Sequence, residues 1–361
     1  MKIKCCSYLG LSGTLSASCK TKIPPKTLLE AYRVMELNRR IDERMLILNR
    51  QGHVSFVLPS IGEEACSVGS ASALKTSDWI FPQYREHGAL FWRGYDVQEY
   101  IHQMFCNGKD PIKGRQMANH FGSKELNVVT VSSTLGTQLT HAVGAAYAMQ
   151  IQGEKNVAIA YFGEGTSSKG DFHVAMNFAA VYKAPVIFFC RNNGYAISTP
   201  TCDQFATESI ATRGPSYGVE TFQVDGNDIF AVHETVAKAR NHCIKQKGPV
   251  LIEAMSYRIG PHSTSDDPSV YRDDEEVNYW KKRCPILRLR RYLEKKKLWD
   301  KKKQEKMEAK IKEEIEAAIE EAKNAPAPAL ETLAEDVYFE IPETLKTQVR
   351  EVQTLFEQEN H

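Results

Sequence analysis

The sequence predicts an α/β protein: an open, mainly parallel sheet with helices on both faces, followed by a helical C-terminal extension. Three observations predict it. Val157–Phe162 is a short apolar run of the kind that forms a strand buried on both faces. Asp171–Lys183 then repeats apolar residues at helical spacing (Phe172, Ala175, Met176, Ala179, Tyr182), and Val186–Cys190 is a second apolar run. Together these make one β-α-β unit, whose right-handed crossover brings both strand ends to one edge, where open sheets bind ligands. The same alternation recurs before and after the unit.

The 361 residues allow one large α/β domain or two smaller ones, and 42% hydrophobic residues suffice for a core. The net charge of +1 gives no basis for bulk attraction to nucleic acid or membrane, and no apolar run approaches the ~20 residues of a spanning helix. Nine cysteines without CxxC pairs speak against a disulfide framework and a structural zinc site, and imply a reducing interior.

In chain order, Met1–Leu29 has no acidic residue and carries Lys2, Lys4, Lys20, Lys22 and Lys26 among Ser, Thr and Cys. Residues 1–23 are expected to be a disordered or targeting tail, with the bias of a mitochondrial presequence but without its usual Arg. Residues 24–299 form the α/β domain and 300–361 a charged helix with a docking arm. Pro24-Pro25 opens an amphipathic helix through Leu46, and Ser60-Ile61-Gly62-Glu63 has the spacing of a capping box for a helix through Ala73. Trp79–Gln83 is strand-like and delivers Tyr84-Arg85 to a sheet edge, where a guanidinium suits phosphate oxygens. Cys106–Thr130, with Gly114–Lys124 reading GRQMANHFGSK, is a long polar loop that is functional or disordered. Ser132–Gln138 carries hydroxyls ahead of a helix over Leu139–Met149.

At the two strand ends of the central unit stand Gly163-Glu164-Gly165 and Asn192-Asn193-Gly194-Tyr195. Their carboxylate, amide and backbone oxygens are hard donors suited to Mg²⁺ with positions left for phosphate, and N–H groups at Thr166–Ser168 favour a diphosphate. Val219–Val224 and Val250–Ser256 are further strands around a helix at Ile229–Lys247. The last strand ends in Tyr257–Asp267, where His262 is a general acid/base candidate. Glu275–Trp299 is a helix interrupted at Pro285, Asp300–Lys323 a solvated helix, and Leu345–Phe356 a docking arm.

The pair GEGTSSKGD and FFCRNNGYAISTPT resembles the thiamine diphosphate motif, with Glu164 where most such enzymes have Asp. The match resembles the α subunits of the branched-chain 2-oxo acid dehydrogenases over nearly everything from Ile23 onward. That resemblance implies a thiamine diphosphate-binding fold and oxidative decarboxylation of branched-chain 2-oxo acids with reductive acylation of a lipoyl group. It implies catalytic roles for Glu164 and His262, and Mg²⁺ on Glu164, Asn193 and Tyr195. It sets Gln83, Tyr84, Arg85, Ser133, Leu135, Gly163, Gly165, Arg191, Asn193 and His262 against the cofactor. Ser132, Thr134, Thr137 and Gln138 correspond to a potassium (K⁺) site, with Thr134 replacing the Pro of animal relatives. Phe56 and Tyr84 match the substrate pocket, and His120 lies near its mouth. RIGPHSTSDDPSVYR resembles a phosphorylation loop with Ser263 as target and Asp273 where animal relatives carry a second Ser.

The implied partners are a β subunit in an α2β2 heterotetramer, a lipoyl-bearing acyltransferase core, and a regulatory kinase and phosphatase, in the mitochondrial matrix. The rival readings are a pyruvate dehydrogenase α subunit and a non-catalytic assembly subunit. A nicotinamide-binding oxidoreductase would need an acidic residue after the second strand, where Arg191-Asn192-Asn193 stands instead.

Overall fold

The structure, a computed structural model, describes residues 3–359 except 21 and 246. Its elements follow in order: β1 (Cys5–Cys6), α1 (Pro25–Arg50), α2 (Glu64–Ala71), β2 (Trp79–Phe81), α3 (His87–Arg93), α4 (Val97–Phe105), α5 (Thr137–Ile151), β3 (Ala158–Gly163), α6 (Gly170–Tyr182), β4 (Val186–Asn192), β5 (Tyr195–Ala196), β6 (Thr199–Pro200), α7 (Thr201–Gln204), β7 (Glu220–Asp225), α8 (Ile229–Ile244), β8 (Val250–Met255), α9 (Asp274–Lys281), α10 (Pro285–Lys295), α11 (Lys301–Asn324) and α12 (Glu343–Glu359).

Six strands form one sheet in the order β1-β7-β8-β4-β3-β2, every pairing parallel. Successive side chains of a strand point to opposite faces, and here both faces are covered. Ile159, Tyr161, Ile187 and Phe189 enter a core with α1, α2 and α8, while Ala160, Phe162, Phe188 and Cys190 enter a second core with α5 and α6. That two-sided burial is why the strands read as continuous apolar runs. Fully burying one Phe or Ile of this kind stabilises the fold by about 1.5–3 kcal/mol.

The structure departs from the sequence reading at four places. Residues 3–20 are not a loose tail: β1 extends the sheet beside β7, and Leu9 is buried. The Tyr8 and Leu9 N–H groups donate to Asp228 at 2.5 and 2.6 Å, and Arg288 donates to the Leu9 carbonyl. Met1 and Lys2 of that segment lie outside the described residues.

The expected capping box at Ser60–Glu63 does not form. Ser60 donates to Asp42, and Glu63 instead meets Arg191 and Ser256. Buried charge claims the carboxylate that the local motif would have used.

α6 starts at Gly170, next to the Asp171 that the helical spacing predicts, so the N–H groups of Thr166–Ser168 lie outside it. A 3₁₀ turn over Glu164–Ser168 intervenes.

The boundary expected at 299/300 does not divide the core. α11 buries Ile311, Ile315, Ala318, Ile319 and Ala322 against α4 and α1, with its charges on the outer face. Beyond it, α12 packs only on the turn at Leu330–Ala334 among its principal contacts.

The segment between α4 and α5 has no helix or long strand, and residues 127–129 run beside β2: Ile80 N–H donates to Asn127 O at 2.8 Å and Val129 N–H to Ile80 O at 2.9 Å. The β2 edge of the sheet is thereby covered, and the two-residue β1 forms the other edge.

Candidate functional site

Because all six strands of the main sheet run parallel, the C-terminal ends of β2, β3, β4 and β8 open on one edge. There a cleft of about 200 Å³ is lined by Gln83, Tyr84, Arg85, Leu135, Gly163, Glu164, Gly165, Thr166, Arg191, Asn193, Tyr195, Ala196, Ile197, Arg258 and His262. A larger groove of about 520 Å³ runs past Trp79, Glu99 and Lys124, and neither Glu164 nor His262 lines it.

The segment after β2 is anchored at each residue. Gln83 Oε1 accepts the Gly163 N–H at 2.7 Å and the Thr166 hydroxyl at 3.1 Å, which ties β2 to the end of β3. Glu86 accepts the N–H groups of Gln83 and Tyr84 at 2.8 and 3.0 Å and the Arg191 Nε–H at 2.6 Å. Arg191 also donates to both oxygens of Glu63 at 3.1 Å. Although burial works against its charge, the two carboxylates hold Arg191 protonated. Such a buried pair favours one arrangement strongly, because either partner left alone is an uncompensated charge.

Glu164 is buried, and its Oε2 accepts the Asn193 N–H at 3.1 Å. Burial raises its carboxyl to about 7, with the Glu63 charge adding to the rise and the Asn193 N–H and Arg191 opposing it. The turn that follows is held by its own amides: Asn192 Oδ1 accepts Gly194 N–H at 3.1 Å, and Asn193 Oδ1 accepts Tyr195 N–H at 3.2 Å. Asn192 Nδ2 donates at 2.7 Å to Glu253 on β8, whose carboxylate is otherwise saturated by Ser209, Gln223 and the N–H groups of Ile210 and Ala211.

On the far wall, Arg85 donates to the His262 carbonyl at 2.5 Å and lies 3.3 Å from His262 Nδ1, and Arg258 lies 3.4 Å from the same nitrogen. Two guanidinium donors make Nδ1 an acceptor, so the ring proton resides on Nε2. Burial first, then the charges of Arg85 and Arg258, push the imidazole down to about 3, against the partial pull of Asp266. Asp266 accepts the His262 N–H and the Tyr271 hydroxyl, each at 2.6 Å.

Of the residues expected from sequence, Gln83, Tyr84, Arg85, Leu135, Gly163, Glu164, Gly165, Arg191, Asn193, Tyr195 and His262 meet in this cleft. Ser133 is exposed and hydrogen-bonds His120 Nε2 at 2.6 Å, outside the cleft lining. Phe56 packs at the margin of the first core rather than in the cleft. Ser132 and Thr134 precede α5 and Thr137 and Gln138 begin it, where Thr137 donates to Thr134 O at 2.9 Å and Gln138 Oε1 accepts Gly136 N–H at 3.0 Å. Ser263 is 8% exposed, with its hydroxyl 3.3 Å from that of Ser265.

Sequence reasoning missed Arg258 and the Glu63–Arg191–Glu86 triad. Arg258 stands one turn of chain before His262 in a motif already singled out, which was the available signal. For the triad there was none, since its members lie on three separate segments.

The cleft fits an anionic phosphorylated group with a divalent cation. Arg85 and Arg258 are buried, and among the described residues neither is ion-paired with a carboxylate, unlike Arg191. Arg258 Nε has no hydrogen-bond partner. Gly163 has an ordinary φ of −90°, so nothing in its backbone requires glycine; a Cβ there would project into the cleft, its nearest neighbour Gln83 Nε2 at 3.7 Å. Glu164 is a buried carboxylate that, among the described residues, has no cationic partner at bonding distance. The volume is below the about 300–1,000 Å³ of complete ligand sites.

A parallel sheet with such a cleft at its carboxyl edge defines an α/β enzyme subunit of the kind that seats a phosphorylated cofactor. The chain belongs to the dehydrogenase E1 component family, which matches residues 32–331. It is 46% identical over 327 residues to the mitochondrial 2-oxoisovalerate dehydrogenase subunit alpha of Mus musculus, covering 90% of this chain and 74% of that one. The Arabidopsis thaliana subunit alpha 2 is 42% identical over 349 residues, 96% and 74% of the two chains. The Dictyostelium discoideum subunit alpha is 47% identical over 313 residues, 86% and 71%.

Proposed function

We propose that this chain is the α subunit of a mitochondrial 2-oxo acid dehydrogenase that decarboxylates branched-chain 2-oxo acids and reductively acylates a lipoyl group. The observation that carries the reading is the cleft itself: a buried carboxylate, a turn of oxygen donors and two arginines without a carboxylate partner among the described residues, on one sheet edge, in a chain whose relatives bear that enzyme's name.

In this reading Glu164, with Asn193 Oδ1 and the Tyr195 carbonyl, holds Mg²⁺, and Arg85 and Arg258 face the diphosphate of thiamine diphosphate. The cofactor, when bound, supplies the nucleophilic carbon and the electron sink for loss of CO₂. His262, neutral with its proton on Nε2, is a hydrogen-bond donor toward the reacting group and a proton carrier for acyl transfer. Tyr84, whose ring lies edge-on to His262 at 6.5 Å, borders the substrate. Phe56 would reach it only from outside the present cleft. The turn of Ser132, Thr134, Thr137 and Gln138 is a K⁺ site that would stiffen the start of α5.

The open end of the cleft calls for a β subunit to complete the site, in an α2β2 assembly that docks on a lipoyl-bearing acyltransferase core. Ser263, beside His262 and ahead of Asp266 and Asp267, is the target of a regulatory kinase and phosphatase. Co-expression with the β subunit and assay of 3-methyl-2-oxobutanoate against pyruvate, with thiamine diphosphate and Mg²⁺, tests the reading. Turnover of the branched substrate supports it, and exclusive turnover of pyruvate overturns the substrate class. The chain alone is expected to be inactive.

A further inference from the structure

Three buried polar residues from distant segments meet under the cleft. Asp42 lies on α1, His87 begins α3, and Asn119 sits in the long loop with φ of 70°. All three are at most 1% exposed. Asn119 Oδ1 accepts the Leu58 N–H at 3.1 Å, which fixes its amide orientation, so Nδ2 donates to His87 Nε2 at 2.9 Å. His87 Nε2 is therefore an acceptor, the proton is on Nδ1, and Nδ1 faces Asp42 Oδ1 at 3.3 Å. The other Asp42 oxygen accepts both the N–H and the hydroxyl of Ser60 at 2.7 Å.

The Ser60 N–H and the Pro59 carbonyl belong to one planar peptide unit. Pro59 has no N–H of its own, so the placement of that carbonyl depends on the Leu58 N–H on one side and the Ser60 N–H on the other. Those are the two groups that Asn119 and Asp42 hold. The Pro59 carbonyl in turn accepts from Arg85 Nη1, and Arg85 Nη2 reaches His262.

We infer that Asn119, His87 and Asp42 form a relay of positioning residues that sets the Pro59–Ser60 peptide plane and, through it, the Arg85 guanidinium in the cleft. The inference rests on the proposed function, since its consequence is read as affinity for the cofactor. Nothing in the relay touches the ligand.

The test is a double-mutant cycle in the chain assembled with its β subunit, reading Mg²⁺–thiamine diphosphate affinity by calorimetry and stability by thermal melting. Asp42→Ala is expected to weaken binding about tenfold or more, and Asp42→Asn, whose one carbonyl oxygen can accept from Ser60 or from the His87 Nδ1–H but not from both, to lose less than Asp42→Ala without recovering fully. In the Arg85→Lys background the further loss from Asp42→Ala is expected to shrink below about twofold, because the group being positioned is gone. The same loss in both backgrounds, or wild-type affinity in Asp42→Ala, overturns the relay. Should Asp42→Ala fail to fold, Asn119→Gly, which keeps the positive φ, enters the same cycle with the same criteria. No binding by the wild-type assembly would overturn the functional reading and the inference with it, and is told apart by that control alone.

Discussion

The backbone N–H of Asn193 donates to Glu164 Oε2 across 3.1 Å, so the end of β4 holds the carboxylate that follows β3. Sequence places these residues on two strands; the parallel register that pairs Gly163 with Arg191 makes them neighbours.

The first prediction concerns that carboxylate. Burial holds it at about 7, above the usual 4.5. A raised folded-state value means stability fully present below the unfolded pKa and lost as pH rises through about 7. The cation-free chain should therefore lose stability between pH 5 and 8 more steeply than Glu164→Gln does, measured as melting temperature against pH. Binding of Mg²⁺–thiamine diphosphate near pH 6.5 should release a proton in the wild type and not in the variant, seen by calorimetry in buffers of different ionisation enthalpy. Identical pH profiles for the two proteins would contradict the assignment.

His262 has the opposite sign. Its folded value of about 3 lies below the usual 6.5, so the neutral ring is favoured in the fold and stability falls as pH drops below the unfolded pKa. His262→Gln should flatten the acid limb of the stability profile between pH 6.5 and 4. An anion that neutralises Arg85 and Arg258 should raise the imidazole pKa, observable by NMR titration of the ring.

Breaking the buried triad should be expensive. Glu86→Gln leaves Arg191 with Glu63 as its remaining carboxylate, and its single amide oxygen can serve either the Gln83 and Tyr84 N–H groups or Arg191 but not both. A loss of about 3–5 kcal/mol in urea unfolding is expected for Arg191→Met, which strands two buried carboxylates, and a smaller loss for Glu63→Gln. Equal, sub-kcal effects at all three positions would show that the triad does not hold the strand ends together.

Phosphorylation at Ser263 would add about −1.5 to −2 charges beside Asp266 and Asp267. Asp266 holds the His262 N–H and the Tyr271 hydroxyl, so repulsion there should loosen the loop. Ser263→Glu is expected to lose lipoyl-coupled turnover and gain protease cleavage in residues 258–272. Asp273→Ala should leave activity nearly unchanged while costing about 1 kcal/mol locally, because Asp273 caps α9 by accepting the Glu276 N–H at 2.7 Å. Wild-type protease resistance in Ser263→Glu would exclude the switch.

Deleting residues 1–20 removes β1, the buried Leu9 and the Tyr8 and Leu9 N–H groups that donate to Asp228. Burial already raises the Asp228 carboxyl, which those N–H groups and Arg288 counter. The truncated chain should melt several degrees lower and aggregate more readily, since the β7 edge is opened. An unchanged melting temperature would return this segment to the status of a tail.

The β-α-β unit, the helices at α5, α8 and α11 and the strand-end motifs were legible because burial on both faces of a parallel sheet leaves continuous apolar runs, and helices leave a 3.6-residue period. These are local signals. The capping box failed because a spacing of Ser and Glu says nothing about a buried Arg191 that competes for the same carboxylate. The first twenty residues looked like a tail because a two-residue edge strand is too short to leave a pattern.

The sequence by itself determined the sheet class, the chain position of Glu164, Asn193 and His262, and the chemistry those residue types allow. Only the tertiary structure decided which charges are spent within the protein and which remain for a ligand. Arg191 is neutralised by Glu63 and Glu86, whereas Arg85 and Arg258 converge on His262 without a carboxylate. The reason is that pairing and desolvation depend on distances of a few ångströms between segments up to 177 residues apart in the chain, as for Arg85 and His262.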